Sequence, residues 1–107
     1  MSLIDNFEKM LAGGQDNVLL RFGLGQAYLS DGQAARAVPH LQRALEHDPK
    51  YSAAWKLYGK ALAESGDLAG AAEAYAQGIQ VAQDKGDLQA AKEMQVFLKR
   101  IRKQLGT

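Results

Sequence analysis

The chain has 107 residues, 47% of them hydrophobic, a formal net charge of +1 and no cysteine. That length suits one domain with a modest core, and the apolar share is too high for a disordered chain. Without cysteine there are no disulfides, thiolate nucleophiles or Cys-type zinc sites, and the balanced charge favours no nucleic-acid partner for the chain as a whole.

Alanine, leucine, glutamine and lysine are abundant and β-branched residues few, so an all-α fold is expected. Helices are expected near 3–12, 17–30, 33–47, 51–64, 67–84 and 87–105. The opening "MSLIDNFEKM" carries acidic residues where a signal peptide would be apolar. No run approaches membrane-spanning length, so a cytoplasmic location and no membrane partner are expected. The first helix ends at Gly13-Gly14. The second contains "RFGLGQAYLSDGQ" (21–33), where Gly23 and Gly25 interrupt a helical apolar pattern. Each costs roughly 0.5–1 kcal/mol relative to alanine, so a compensating role in packing is expected.

In the third helix Pro39 removes the bond to the Ala35 carbonyl, and a bend or a late helix start is expected there. His40 and His47 lie about 10 Å apart along the axis at 1.5 Å per residue, too far to hold one metal ion as a local pair. His47 is placed to stabilise the terminal carbonyls of its helix. The chain has no P-loop, no G-x-G-x-x-G after a strand, no G-x-S-x-G and no H-E-x-x-H. No catalytic, metal-binding or cofactor-binding residue is assigned, and no enzyme activity is expected.

Trp55, at the start of the fourth helix, is read as a core or inter-unit packing residue. Lys56 and Lys60 share one face, a like-charge spacing that disfavours the helix, and Glu64 can offset this by pairing with Lys60. Asp67 is a candidate N-cap for the fifth helix and Asp87 for the sixth. The sixth places Leu88, Ala91, Met94, Leu98, Ile101 and Leu105 on one apolar face. Residues 85–107 carry six basic and two acidic residues, a net +4 that leaves −3 for the rest of the chain.

The second to fifth helices repeat. "FGLGQAYLSDGQAARAVPHLQRALEHDP" (22–49) aligns without gaps on "KLYGKALAESGDLAGAAEAYAQGIQVAQ" (56–83), an offset of 34 residues. Gly25 falls on Gly59, Gly32 on Gly66, Ala37 on Ala71, Leu41 on Tyr75 and Ala44 on Gly78. Small positions stay small and large ones stay large, as in a solenoid whose units bury their apolar faces on one another. Gly25 and Gly59 are expected where two helices of a unit approach closely, with Ala37, Ala44, Ala71 and Gly78 opposite and Tyr28, Leu41, Leu62 and Tyr75 filling the remaining space. Gly32 and Gly66 are expected in left-handed turns.

The second unit reads Trp55-x-x-Tyr58-Gly59-x-x-Leu62 and then Ala71-x-x-x-Tyr75. The first reads Arg21-x-x-Leu24-Gly25-x-x-Tyr28, then Ala37-x-x-x-Leu41, and ends on Pro49. This resembles the tetratricopeptide repeat. One unit lacks the family's tryptophan and the other its proline, while the spacing holds elsewhere. The resemblance implies a right-handed superhelical array of antiparallel helix hairpins. Its divisions would be an N-terminal half-repeat helix (1–16), a first repeat (18–51), a second repeat (52–85) and a capping helix (86–107). Leu3, Phe7 and Met10 stand 34 residues before Ala37, Leu41 and Ala44, so the first helix matches the second helix of a missing earlier unit.

The resemblance also implies a non-catalytic protein–protein interaction module, perhaps a scaffold or assembly factor, that takes a peptide or protein partner in a concave groove lined by the first helix of each unit. The candidates are Leu19, Phe22, Gln26 and Leu29 from one unit and Ala53, Lys56, Lys60, Ala63 and Glu64 from the next. Gly23 lies on the same side, opposite no bulky group, where it would leave a hollow beside Leu57. Phe22 would anchor an apolar side chain and the lysines would steer an acidic one. Phe22 and Gln26 replace the Lys and Asn of the family's carboxylate clamp, so a heat-shock-chaperone tail is not indicated. Two other readings are a phosphate, RNA or membrane-surface contact through "KRIRK" (99–103) and self-association, one chain's open end stacking on another's.

Overall fold

The computed structural model describes residues 2–106. Its helices are α1 (Leu3–Ala12), α2 (Val18–Ser30), α3 (Ala34–His47), α4 (Ser52–Glu64), α5 (Leu68–Lys85) and α6 (Leu88–Leu105), with no strand among the described residues. Each lies within a residue or two of its expected bounds. Helix ends are chemically marked. Asn17 caps α2 by accepting from the Leu20 amide, and Asp67 and Asp87 accept from Gly70 and Ala90 at the starts of α5 and α6.

Within each repeat the turn between the two helices is the same. Gly32 (φ +75°) and Gly66 (φ +97°) take left-handed conformations. The amides that follow them, Gln33 and Asp67, donate back to the Tyr28 and Leu62 carbonyls at 2.8 Å. This closes the last turn and reverses the chain.

The hairpins α2–α3 and α4–α5 pack through one repeated device. A methyl group placed on Gly25 would lie 2.4 Å from Leu41 Cγ and Cδ2. One placed on Gly59 would lie 2.5 Å from Tyr75 Cε1. In both units, then, the large residue of the second helix sits in a notch that glycine leaves on the first. Gly78 lies under Trp55 and Met94 together, so the same economy joins the second repeat to α6. Leu24, Ala37, Leu41, Ala44, Ala54, Ala61, Ala71, Ala82 and Met94 are fully enclosed.

Three expectations about packing need correction. Pro39 delays nothing: α3 starts at Ala34 and runs on through it. Both Pro39 and Ala35 are exposed, so water can satisfy the carbonyl that loses its amide donor. Leu3 and Met10 do not occupy buried places like Ala37 and Ala44; they are 60% and 39% exposed. Instead α1 lays Ile4, Phe7 and Leu11 on the first repeat. On α6, Ala91, Met94, Leu98 and Ile101 are buried as expected, but Leu88 and Leu105, at the two ends, overhang α5 and are largely exposed.

The curvature follows from which helices meet. The first helices of successive units approach each other, α2 to α4 and α4 to α6, whereas the backbones of α3 and α5 stay farther apart. The array therefore bends with α2, α4 and α6 on its inner side.

Candidate functional site

The expected groove residues lie on α2 and α4, two of the helices of the inner side. On α2, Leu19 is 72% exposed and Gln26 is exposed, while Phe22 and Leu29 are half-buried. On α4, Ala53 and Ala63 are half-buried and Lys60 and Glu64 exposed. Lys60 Nζ lies 4.0 Å from Glu64 Oε2, the pairing expected from their spacing. At such exposure it contributes little to stability.

Three candidates are engaged in ways the sequence did not show. Phe22 stacks on Tyr51 with ring centroids 4.8 Å apart, so its face is already covered where a free anchor was expected. Lys56 Nζ donates to Glu93 Oε2 of α6 at 2.7 Å, and this pairing holds the Glu93 carboxyl below the usual carboxylate range. Lys56 therefore braces α4 against α6 and is not a free groove cation. Gly23 is not opposite an empty space: a methyl group there would lie 2.9 Å from Phe7 Cε2. The hollow on that side opens between α1 and α2, beside Ile4 and Phe7 and away from Leu57.

The histidines stand apart from the groove, in a charged cluster that fastens α1 to the first repeat. Asp16, between α1 and α2, takes two hydrogen bonds from Arg21, Nε to Oδ1 at 2.8 Å and Nη2 to Oδ2 at 2.9 Å. His47 Nε2 lies 3.0 Å from the same carboxylate, so its partner is Asp16 and not the helix carbonyls expected for it. Arg21, then His47, holds the Asp16 carboxyl well below the usual carboxylate range. His40 stacks on Tyr28, ring centroids 5.5 Å apart. Arg21 Nη1 donates to His40 Nδ1 at 3.1 Å, which leaves Nε2–H to face Glu8 Oε1 of α1 at 3.4 Å. Tyr28 Oη donates to the same Glu8 oxygen at 3.2 Å.

Burial, with the Arg21 charge acting in the same direction, lowers the His40 pKa below its ordinary 6.5, although Glu8 and Asp16 oppose them. The unfolded chain therefore binds this proton more readily. The stability contributed by neutral His40 is complete above the unfolded pKa and is lost as pH falls through the lower folded value. Urea midpoints measured between about pH 7 and pH 5 should fall more for the wild type than for His40→Gln. Parallel curves would show that His40 is not the group responsible.

Among the described residues no group of three or more His, Cys, Asp or Glu side chains is placed to hold a metal ion. No helix there is long and apolar enough to cross a membrane. The geometry is that of paired helices with a repeated notch and an open inner face, and a family model for the tetratricopeptide repeat matches residues 22–87. The chain belongs to the tetratricopeptide repeat family. A TPR repeat-containing protein of Pseudomonas aeruginosa is 60% identical over 99 residues, which span 92% of this chain and 94% of that one. The solution structure of a Bordetella parapertussis protein superposes with a TM-score of 0.83 at 48% identity, over 97% of this chain and 90% of the other. The Sgt2 TPR domain of Aspergillus fumigatus gives 0.78 at 30% identity, over 96% of this chain and 66% of that one. TPR domains are commonly protein-interaction modules and generally non-catalytic.

Proposed function

We propose that this TPR protein is a non-catalytic cytoplasmic interaction module that holds an extended segment of another protein along the inner side of α2 and α4. The observation that carries this reading is Leu19, a large apolar side chain 72% exposed on the inner side. On α4 the half-buried Ala53 and Ala63 carry short side chains that leave room for a guest chain. The covered ring of Phe22 forms part of the groove floor, where its edge and not its face meets the guest. Lys60, 57% exposed, is the cation left to choose an acidic residue, since Lys56 is committed to Glu93. Apolar anchors supply the affinity in such a face, and the charge mainly steers association.

Selection from a random peptide library displayed on phage, followed by amide-shift mapping, tests the reading. Binding peptides should shift amides of α2 and α4, and Ala63→Glu should weaken them at least tenfold with the thermal midpoint retained. Shifts confined to α3 and α5, or undiminished binding to Ala63→Glu, would move the site off the inner side.

A further inference from the structure

The two ends of the array expose complementary surfaces. At one end α1 stands in the register of the second helix of a unit. Its Leu3 and Met10 stand at the positions of Ala37 and Ala44, which are fully enclosed in the first repeat, yet they are 60% and 39% exposed. Beside Leu3 is a hollow of about 480 Å³ lined by Ile4, Phe7, Gly23, Gln26, Ala27 and Asp31, among others. Gly23 and Ala27 stand 34 residues before Leu57 and Ala61. Ala61 is fully buried against the preceding repeat, so the hollow marks the same inter-unit surface without its neighbour. In the register of the repeat, the helix that fits this seat is a first-type one.

At the other end α6 follows α5 in the place of a first-type helix, with Lys92 and Glu93 where α4 has Tyr58 and Gly59. One side packs on α5, and Glu93 meets Lys56 on the inner side. Its remaining side carries Gln95, Val96, Lys99, Arg102 and Lys103, with Val96 49% exposed and Leu98 reached from a second hollow among these residues. The charges of the two ends are opposite. Residues 2–33 carry Asp5, Glu8, Asp16 and Asp31 against Lys9 and Arg21, a net −2, while residues 85–107 are +4.

We propose that the seat beside α1 is filled by α6 of a second copy of this chain. The intermolecular pair α6–α1 then covers Leu3 and Met10 and sets the basic side of α6 against Asp5 and Asp31. The contact is heterologous: each copy offers one end and accepts the other, so association is head-to-tail and does not close on itself as a two-fold dimer would. It uses neither Leu19 nor Ala63, although Gly23 and Gln26 of α2 line the seat as well.

Sedimentation velocity on the full chain, from micromolar to millimolar concentration, should show a weight-average mass rising above 11.6 kDa, and the rise should be smaller at high salt. Two variants separate the ends. Leu3→Arg/Met10→Arg blocks the seat, and Lys99→Glu/Lys103→Glu blocks the helix that enters it. All four positions are exposed, so both should fold, which circular dichroism checks. Each alone should stay monomeric. Mixed, they still have one free seat and one unaltered α6 between them, and should form a one-to-one complex of twice the monomer mass and nothing larger. A wild type monomeric at millimolar concentration overturns the proposal. So does a variant that associates as the wild type does, or a mixture that stays monomeric. If the wild type is monomeric and an added RNA oligomer binds it through Lys99 and Lys103 instead, the basic face is a phosphate contact and the proposal fails.

Discussion

A chain ended after Gly86 is expected to lose its cooperative thermal transition. Without α6, the side of α5 that carries Ala74, Tyr75, Gly78 and Ala82 is opened to water, and Met94, Leu98 and Ile101 no longer bury themselves there. Full burial of a Met, Leu or Ile side chain stabilises by roughly 1.5–3 kcal/mol, so these three together contribute roughly 5–9 kcal/mol. A domain of this size is stable by only about 5–15 kcal/mol in all. The hydrogen bond from Ser52 to Asp87 and the pair between Lys56 and Glu93 are lost as well. Far-UV circular dichroism against temperature should show a shallow, low-amplitude change in place of a sigmoid. Met94→Ala in the full chain probes the same surface more gently. Met94 is fully enclosed with its sulfur against Gly78, which cannot fill the void, and such a truncation costs about 2–5 kcal/mol. A shortened chain melting within a few degrees of the full one would mean that α6 is not a structural cap.

Much of this architecture is legible in the sequence because a repeat states its rule twice. Gly25 alone is a puzzle; Gly25 and Gly59 together mark a close approach of paired helices, although the residues against them are Leu41 and Tyr75 and not the small Ala37, Ala44, Ala71 and Gly78 that the sequence suggests. Gly32, Gly66, Asp67 and Asp87 are legible for another reason, since turns and caps depend on residues close in sequence. The candidate site is less so. The groove positions lie on the inner helices α2 and α4, but the engagement of Phe22 by Tyr51 and of Lys56 by Glu93 spans 29 and 37 residues. A 34-residue self-comparison cannot show those contacts, because each is made once. Asp16 is the clearest case: one exposed-looking carboxylate in a short linker gathers Arg21 and His47 from two helices. Gly23 was misread for the same reason. Its partner Phe7 comes from α1, outside the repeated region, so no second copy of the contact exists to reveal it.

That contrast between Gly23 and Gly25 makes the sharpest test of the packing. Gly25→Ala should destabilise, although alanine improves helix propensity by about 0.5–1 kcal/mol. The added methyl would meet Leu41 at 2.4 Å, and Leu41 is fully enclosed between α2 and α4 with nowhere to move. Gly25→Leu should be worse, with an overpacking cost of about 1–3 kcal/mol or more. For a domain of this size each kcal/mol lowers the midpoint by about 4–8 °C, so a loss on the order of 10 °C is expected. At Gly23 the obstacle is the edge of the Phe7 ring, half-buried on an end helix that can give by a few tenths of an ångström. Gly23→Ala should therefore be near neutral. Pairing Gly25→Leu with Leu41→Ala then asks whether the notch and its occupant are one device. The new leucine on α2 enters the space vacated on α3, so the double variant should be more stable than the sum of the single losses predicts, by about 0.5–3 kcal/mol. Equal losses at Gly23 and Gly25, or strict additivity in the cycle, would show that the glycines are not there to admit the opposing side chains.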